Sequence, residues 1–286
     1  KKVKEFCVAS GFSEVMPYSF ISKKLLDNFN LKGELKLANP LSEDLEYMRP
    51  VLLPGLLQVV EENENNSEEG KIFELSRVYL PNKGLPREEM HFAGIIYGKS
   101  SKGELFYKVK GFIFELLERF GVNYTLEMCG GKNGHPTRTF KVMVNGERVG
   151  CVGEVHPIVT NKFLIDSRVG FFNFNFEKLI AHLRSHKSYT PLPAYPGIKR
   201  DIAFVVDTKT EYEKIEEVIY TSHELISHVE LFDVYEGKGV PKNKKSLALH
   251  ILFRSSHKTL ETKEVEDIWK ELVKILKEKF KAKIRM

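Results

Sequence analysis

The chain has 286 residues, of which 42% are hydrophobic and 29% charged, and its formal net charge at pH 7 is +5. This length allows two ordinary domains, each able to bury its own core. The apolar runs fall short of the roughly 18 residues that a membrane helix needs, so the composition excludes a membrane protein. The positive charge is compatible with a polyanionic partner but is too small to indicate one by itself.

Cysteine usage and the first residues indicate a cytoplasmic protein. Cys7, Cys129 and Cys151 show neither CxxC nor Cys/His spacing, which predicts no disulfide framework and no zinc site. No secretory pattern follows Lys1, and the chain begins directly in a predicted helix, as expected of a piece of a longer polypeptide. We therefore expect a reducing, cytoplasmic location.

Helix signals open the chain. Gly11 is predicted to end a first helix, Ser22 to cap a second, and Pro54 to lie in the first turn of a third. Another helix is predicted over 107–120, where apolar residues recur on one helical face.

Strands are predicted on both sides of that helix, at 71–80, 90–98, 138–155 and 170–177. The third of these segments contains Asn145-Gly146, the strongest short signal for a β-hairpin. The helices and strands together indicate an antiparallel α+β domain over residues 1–187.

A basic stretch with several prolines, residues 184–200, is predicted to be a linker, with the domain boundary near residue 188. The second domain, 188–286, is predicted to contain strand, helix, strand, strand, helix and strand at 201–207, 211–222, 228–236, 245–254, 262–280 and 282–286. This βαββαβ order is the ferredoxin-like split unit.

The two middle strands of this unit predict an exposed polar face. Side chains alternate along a strand, and helices cover only one face of this fold. Phe232 and Val234 are therefore predicted to lie on one face, and Leu231, Asp233 and Tyr235 on the other. In the partner strand, alternation places Ser246, Ala248 and His250 on the face opposite the one that carries the apolar residues of that strand. We expect the face without helices to carry Asp233, Tyr235, Ser246 and His250.

Such a face can bind single-stranded RNA, because unstacked bases stack on an aromatic ring and are read at their edges. One stacked base contributes on the order of 1 to 3 kcal/mol. The intervening loop adds lysines that could neutralise phosphates, namely Lys238, Lys242, Lys244 and Lys245. The alternative is that Tyr235 is an ordinary amphipathic strand residue and that the lysines belong to a solvated loop.

A family resemblance decides between these readings. Residues 231–285, with "YPGIKRDIAFVVD" upstream, resemble the ferredoxin-fold anticodon-binding domain at the C-terminus of bacterial phenylalanyl-tRNA synthetase β subunits. The upstream motifs "GFSEVMPYSF", "NPLSEDLEYMRPVLLPGLL", "FELSRVY" and "GEVHP" are similar to the synthetase-like core module of the same subunit. Both resemblances occur in the family's order and cover nearly the whole chain.

For the first domain, the resemblance implies a class II synthetase-like antiparallel sheet that performs no catalysis. In the family, an (αβ)2 heterotetramer uses ATP and magnesium at a site of the α subunit to attach phenylalanine to tRNA. Here Arg77 does not stand in the expected Arg-x-Glu order, and residues 169–179 have neither the glycine run nor the arginine of the third class II motif. We therefore expect no catalytic residues, metal or cofactor in this chain, and no activity without the α subunit.

For the second domain, the resemblance implies contacts with the anticodon of phenylalanine tRNA. Tyr235 would stack on the first anticodon base, and Asp233 and Ser246 would donate or accept hydrogen bonds at base edges. The loop lysines gain less from the resemblance, because the family varies there. The family's β subunit also has N-terminal modules, among them an editing domain, and their sequence is not within these residues.

The sequence also contains weaker candidates for a functional site. Glu154 and His156 could form an acid–base pair or half a metal site, but no third ligand is near them. His135 lies in a glycine-rich stretch without the GxxxxGK[ST] order, which favours a loop. Two alternative functions remain open: an independent class II enzyme, and a free-standing RNA-binding or assembly protein that shares these folds.

Overall fold

The structure is a computed structural model in which residues 1–99, 104–183 and 191–285 are described. The chain divides into two units, Lys1–Ser188 and Tyr189–Met286. The boundary near residue 188 stays a prediction, because 184–190 lie outside the described residues. The predicted linker, 184–200, extends too far toward the C-terminus, because a strand begins at Ile198.

The first unit combines a large sheet with short and long helices. Its helices are α1 (Lys2–Ala9), α2 (Lys23–Asn28), α3 (Leu53–Asn63), α4 (Glu104–Arg119), α5 (Pro157–Lys162) and α6 (Phe176–Ile180). Its strands are β1 (Ser13–Glu14), β2 (Phe20–Ile21), β3 (Tyr47–Met48), β4 (Glu69–Leu80), β5 (Arg87–Gly98), β6 (Thr125–Met128), β7 (Gly134–Val144), β8 (Glu147–Val155) and β9 (Arg168–Asn175).

Seven of these described strands form one sheet in the order β1-β4-β5-β9-β8-β7-β6. Every neighbouring pair is antiparallel except the short parallel pair of β1 and β4 at one edge. A separate small hairpin joins β2 and β3. The predicted α+β class with a mainly antiparallel sheet is confirmed.

Apolar side chains cover both faces of this sheet. In β5, Phe92 belongs to the core beneath α1 and α4, whereas Ala93 and Ile95 belong to the core beneath α3 and α5. A strand that is buried on both faces reads as a continuous apolar run, and residues 92–98 are all buried. Stacked and tilted phenylalanine rings, among them Phe92 and Phe172 with centroids 4.7 Å apart, fill the first core.

The structure contains the predicted helix cap, hairpin turn and helix end. The Ser22 hydroxyl accepts a hydrogen bond from the Leu25 amide at 3.1 Å, which confirms the predicted cap of α2. Asn145 and Gly146 both adopt positive φ, +51° and +79°, as a two-residue hairpin turn between β7 and β8 requires. Gly11, with φ of +83°, follows the end of α1 as predicted.

The loop predicted at His135 is wrong, because β7 begins at Gly134 and includes it. The pairing of β7 with β8 jumps from Gly134 to Thr139, so the residues between them form an irregular extension of the strand. Thr139 Oγ1 donates to the His135 carbonyl at 2.9 Å and closes this extension. Such an interruption breaks the alternation by which strands are recognised in sequence.

Glu154 and His156 have structural roles instead of forming a pair. The Glu154 carboxylate is almost fully buried and accepts from Arg138 Nε at 2.5 Å and Arg168 Nη2 at 2.6 Å. It therefore ties β8 to residues of β7 and β9. His156 caps α5, where its Nδ1 accepts from the Ile158 amide at 3.1 Å.

The second unit has six elements: β10 (Ile198–Asp207), α7 (Tyr212–Ser222), β11 (Ile226–Tyr235), β12 (Lys244–Phe253), α8 (Thr262–Phe280) and β13 (Lys283–Arg285). Its antiparallel sheet has the order β11-β12-β10-β13. Residues of both helices, such as Ile219 and Leu272, share one core with Phe204 and Leu249 of the sheet. The predicted βαββαβ unit, with helices on one face, is confirmed.

Replacing Glu154 with Gln is expected to lower the free energy of unfolding by about 3 kcal/mol, because two guanidinium groups lose their buried anionic partner. Glu147→Gln is the matched control, since its pair with Lys178 has side chains 49% and 47% exposed. Such surface pairs contribute about 0 to 1 kcal/mol. Urea unfolding of the full chain, followed by circular dichroism, measures both variants. Equal midpoints would contradict a stabilising role for the Glu154 pairs.

Candidate nucleic-acid interface

Strand register arranges side chains in rows on the sheet face opposite α7 and α8, which we call the open face. Leu247 and Leu249 of β12 point into the core with the helices, so Ser246, Ala248 and His250 lie on the open face. Residues directly opposite one another on neighbouring strands share a face. The pairing partners of these three residues therefore define the remainder of the open face.

The first row contains Tyr235, Ser246, Val205 and Lys283, one residue from each of the four strands. Tyr235 is 42% exposed, whereas Ser246 is only 7% exposed. A base that bonds to the Ser246 hydroxyl must therefore reach the floor of the open face. The tyrosine ring stands beside that position at the edge strand β11.

The second row contains Asp233, Ala248, Ala203 and Arg285. Asp233 is exposed at the β11 edge and Arg285 is exposed at the β13 edge. The two alanines between them leave a low floor across the centre of the sheet. An anionic group and a cationic group thus stand at opposite ends of a shallow surface.

The third row contains Glu230, His250 and Asp201. His250 Nδ1 lies 2.7 Å from Asp201 Oδ1 across the β10–β12 pair. The three rows together place Asp233, Tyr235, Ser246 and His250 on one face, as strand alternation predicts.

A β-bulge corrects the prediction for Leu231 and Phe232. Leu231 is opposite Leu249 and Asp233 is opposite Ala248, so Phe232 has no partner in β12. The extra residue reverses the expected facing: Leu231 packs against the core, and Phe232 stacks on His250 of the open face. Alternation along the sequence assumes an uninterrupted ladder, which a bulge breaks.

The β11–β12 loop, residues 236–243, leans over the open face. Tyr235 Oη donates to the Lys238 carbonyl at 3.3 Å, and Arg285 Nη2 donates to the Gly239 carbonyl at 2.9 Å. Because β11 and β13 are opposite edges of the sheet, the loop and the long Arg285 side chain together span the strands between them. Gly239 has φ of +90°, a conformation that favours glycine.

The predicted phosphate-binding lysines differ in orientation. Lys238 and Lys242 are exposed in the loop. Lys244 pairs with Asp207, 3.6 Å away, and the Lys209 amide and Lys244 together lower the pKa of that carboxyl. Lys245 is opposite Val206, a core residue, so its backbone position faces the helices. The register therefore separates Lys245 from the open face.

Sequence reasoning missed Lys283 and Arg285 as basic groups of this face. Both flank Ile284, which packs against the core, so alternation along the last strand places both on the open face. The same alternation in the sequence could have found them. Asp201 was missed as well, because its contact with His250 depends on the pairing of strands that are distant in the chain.

The first unit offers no comparable arrangement in its described residues. Arg77 is exposed and pairs with Glu88 at 3.4 Å. The buried cation of this region is Arg49, which pairs with Glu74 at 2.8 Å, and burial raises the pKa of the Glu74 carboxyl despite that partner. Burial also raises the pKa of the Cys7 thiol to about 12, which makes it a poor nucleophile.

Within 1–99, 104–183 and 191–285, no group of three or more His, Cys, Asp or Glu side chains could hold a metal ion. None of the helices described in these ranges is long and apolar enough to cross a membrane.

Two family models match the chain in succession. Residues 1–176 match the phenylalanyl tRNA synthetase beta chain CLM domain, and residues 193–285 match the ferredoxin-fold anticodon-binding domain. The two matches lie within the first and the second unit, respectively.

Curated relatives carry the same name. The phenylalanine-tRNA ligase beta subunits of Carboxydothermus hydrogenoformans, Syntrophotalea carbinolica and Thermotoga maritima are 34%, 32% and 30% identical to the chain and align with 98% or more of it. The alignments cover 38%, 38% and 37% of those relatives, so the chain spans less than two fifths of their length. The chain belongs to the phenylalanyl-tRNA synthetase beta-chain family, with a CLM domain followed by a ferredoxin-fold anticodon-binding domain.

Proposed function

We propose that the open face binds the anticodon loop of phenylalanine tRNA and that the first unit supports assembly with an α subunit. That α subunit, in an (αβ)2 heterotetramer in the cytoplasm, uses ATP and magnesium to charge the tRNA with phenylalanine. The observation that carries the proposal is the exposed Tyr235 ring beside Asp233 on a sheet face without helices. Stacking on the ring supplies affinity, and the carboxylate reads base edges.

Charge distribution across the sheet supports an orientation for the RNA. Glu230 and Asp233 lie on β11, whereas Lys283 and Arg285 lie on β13 at the opposite edge. Phosphates are attracted to the basic edge and repelled by the acidic one. The backbone therefore runs along the β13 side, and the bases extend toward β11 and its Tyr235 ring.

The β11–β12 loop contributes to the same surface. Tyr235 and Arg285 both donate to its backbone, so the groups proposed to contact RNA also hold the loop. Lys238 and Lys242 project from this loop into solvent. RNA that enters the open face exchanges these two exposed hydrogen bonds for contacts with bases and phosphates.

Two features of the first unit support the proposal that it is a scaffold and that the α subunit is the catalytic chain. Phenylalanine side chains such as Phe73, Phe92 and Phe172 fill the core on one face of its central strands. The arginine in the position nearest to the class II pattern, Arg77, is paired with Glu88. These features support a scaffold role for the first unit, with catalysis supplied by the α subunit.

The anticodon proposal predicts that Tyr235→Ala weakens binding of the anticodon stem-loop of phenylalanine tRNA by about 1 to 3 kcal/mol, because one stacked base is lost. Tyr235→Phe is expected to bind like the natural chain, since it keeps the ring and loses only the bond to Lys238. Tyr18→Ala, an exposed tyrosine of the first unit, is the control. Fluorescence anisotropy with the natural and a changed anticodon measures all three. Equal binding by Tyr235→Ala contradicts the proposal.

The loop lysines generate a separate prediction about salt. Lys242→Ala is expected to reduce the slope of log K against log salt by about 0.7, the value for one phosphate contact with a single strand. Lys245→Ala, whose position faces the helices, is expected to leave the slope unchanged. Titrations at several salt concentrations compare the two variants. A larger effect of Lys245→Ala would contradict the orientation given by the register.

Assembly is tested by mixing the chain with the α subunit of a phenylalanyl-tRNA synthetase. We expect a stoichiometric complex in size-exclusion chromatography and no phenylalanine-dependent ATP–pyrophosphate exchange by the chain alone. Exchange by the chain alone would favour an independent enzyme. Failure to form the complex, with anticodon binding intact, would favour a free-standing RNA-binding protein.

A further inference from the structure

The β-bulge places a second aromatic side chain on the open face. Phe232 is 49% exposed and stacks on the His250 imidazole with ring centroids 4.0 Å apart and planes inclined by 19°. Regular alternation would have turned this ring toward the helices. The bulge therefore has a specific consequence, which is to present a flat apolar ring where RNA bases are proposed to bind.

The ring pair is held in place from the neighbouring strand. His250 Nδ1 lies 2.7 Å from Asp201 Oδ1, and the Phe232 ring lies against the imidazole so fixed. The His250 side chain is 23% exposed, less than the phenylalanine that lies on it. The array Asp201–His250–Phe232 thus orders the ring before any ligand arrives, which reduces the entropy lost on binding.

The Phe232–His250 pair is too far from Tyr235 to contact the same base. Phe232 and Tyr235 are three residues apart on β11, about 10 Å along the strand, and His250 and Ser246, the partner of Tyr235, are four residues apart on β12, about 13 Å. The row between them begins with Asp233 at the β11 edge and continues with Ala248 and Ala203, whose small side chains leave the surface low. The open face therefore offers two separate aromatic positions with a shallow region between them.

We propose that Phe232, supported by His250 and Asp201, is a second base-stacking platform for a nucleotide other than the one that stacks on Tyr235. This inference rests on the proposed function of the open face. Every base has a flat π-face, so the platform supplies affinity and spacing without selecting base identity. Its ligand class is an unpaired nucleotide of the same single-stranded loop.

The array also carries charges that exclude other ligands. Asp201 and Glu230 flank His250 in its row, so this end of the face disfavours a bare phosphate. An uncharged base avoids that repulsion, provided that its own phosphate lies toward Lys283 and Arg285. This arrangement agrees with a backbone that follows the β13 edge.

The test uses the full chain and anticodon stem-loops of phenylalanine tRNA that carry 2-aminopurine at one loop position at a time. Phe232→Ala is expected to weaken binding roughly 5- to 100-fold. It should also abolish the stacking-induced quenching at one loop position, whereas Tyr235→Ala abolishes it at a different position. Phe232→Tyr, which keeps an aromatic ring, should restore both readouts.

Val234→Ala is the matched control, because Val234 is 52% exposed on the same strand but pairs with Leu247 on the helix-bearing side. Its binding should remain within twofold of the natural chain. If Phe232→Ala fails to fold, Phe232→Leu keeps most of the apolar volume without a flat ring and should show the same loss of quenching.

Two outcomes overturn the inference. Unchanged binding by Phe232→Ala, with binding still lost in Tyr235→Ala, removes the second platform and leaves the proposed function intact. Loss of quenching at the same loop position in both variants means that Phe232 acts only by supporting Tyr235. If neither variant changes binding and the anticodon sequence is irrelevant, the proposed function itself fails.

Discussion

Burial of apolar side chains between helices and a sheet is the constraint on which both units depend. Residues 92–98 of β5 are buried throughout, because helices lie on both faces of the first sheet. In the second unit, α7 and α8 cover one face only, through residues such as Ile219 and Leu272. One sheet is therefore enclosed in cores, and the other retains a face on which polar and aromatic groups can meet a ligand.

Strand register converts that difference into a defined surface. The pairing of β12 with both β10 and β11 aligns residues of the four strands in three rows. Acidic side chains lie on β11 and basic side chains on β13, at opposite edges of the sheet. A single bulge at Phe232 changes which residues belong to it. Because a one-residue shift moves a side chain to the other face, small changes of register have large effects on what a sheet presents.

The buried charges of the first unit are paired inside the protein, whereas the charges of the open face are exposed to solvent. Glu154 is held by two arginines, and Glu74 by Arg49, and both carboxylates have little access to solvent. Removing a charge from water is costly, so such groups persist only where each anion has a positioned partner. They join strands within the sheet and leave no free charge for a substrate. The exposed charges of the second unit are free to attract one.

Much of the architecture was predictable, because the preferences of neighbouring residues for caps, turns and strands indicate the same elements as the pattern of apolar residues. The cap at Ser22, the hairpin at Asn145-Gly146 and the apolar face of α8 each depend on residues close together in the chain. The family motifs extend that reach, since they predict Asp233 and Tyr235 as site residues before any coordinate is known. The last strand, with Ile284 between two basic residues, could also have been read this way.

The sequence by itself thus determined the class of both sheets, the order of the elements in the second unit and the polar character of one sheet face. In the first unit it missed β6, α5 and α6. Only the tertiary structure decided that Phe232 lies on that face and that His250 is held by Asp201. The physical reason is that alternation and helical periodicity are local, whereas a bulge and a cross-strand contact depend on pairing between distant segments. Those pairings set the geometry of the surface that we propose binds RNA.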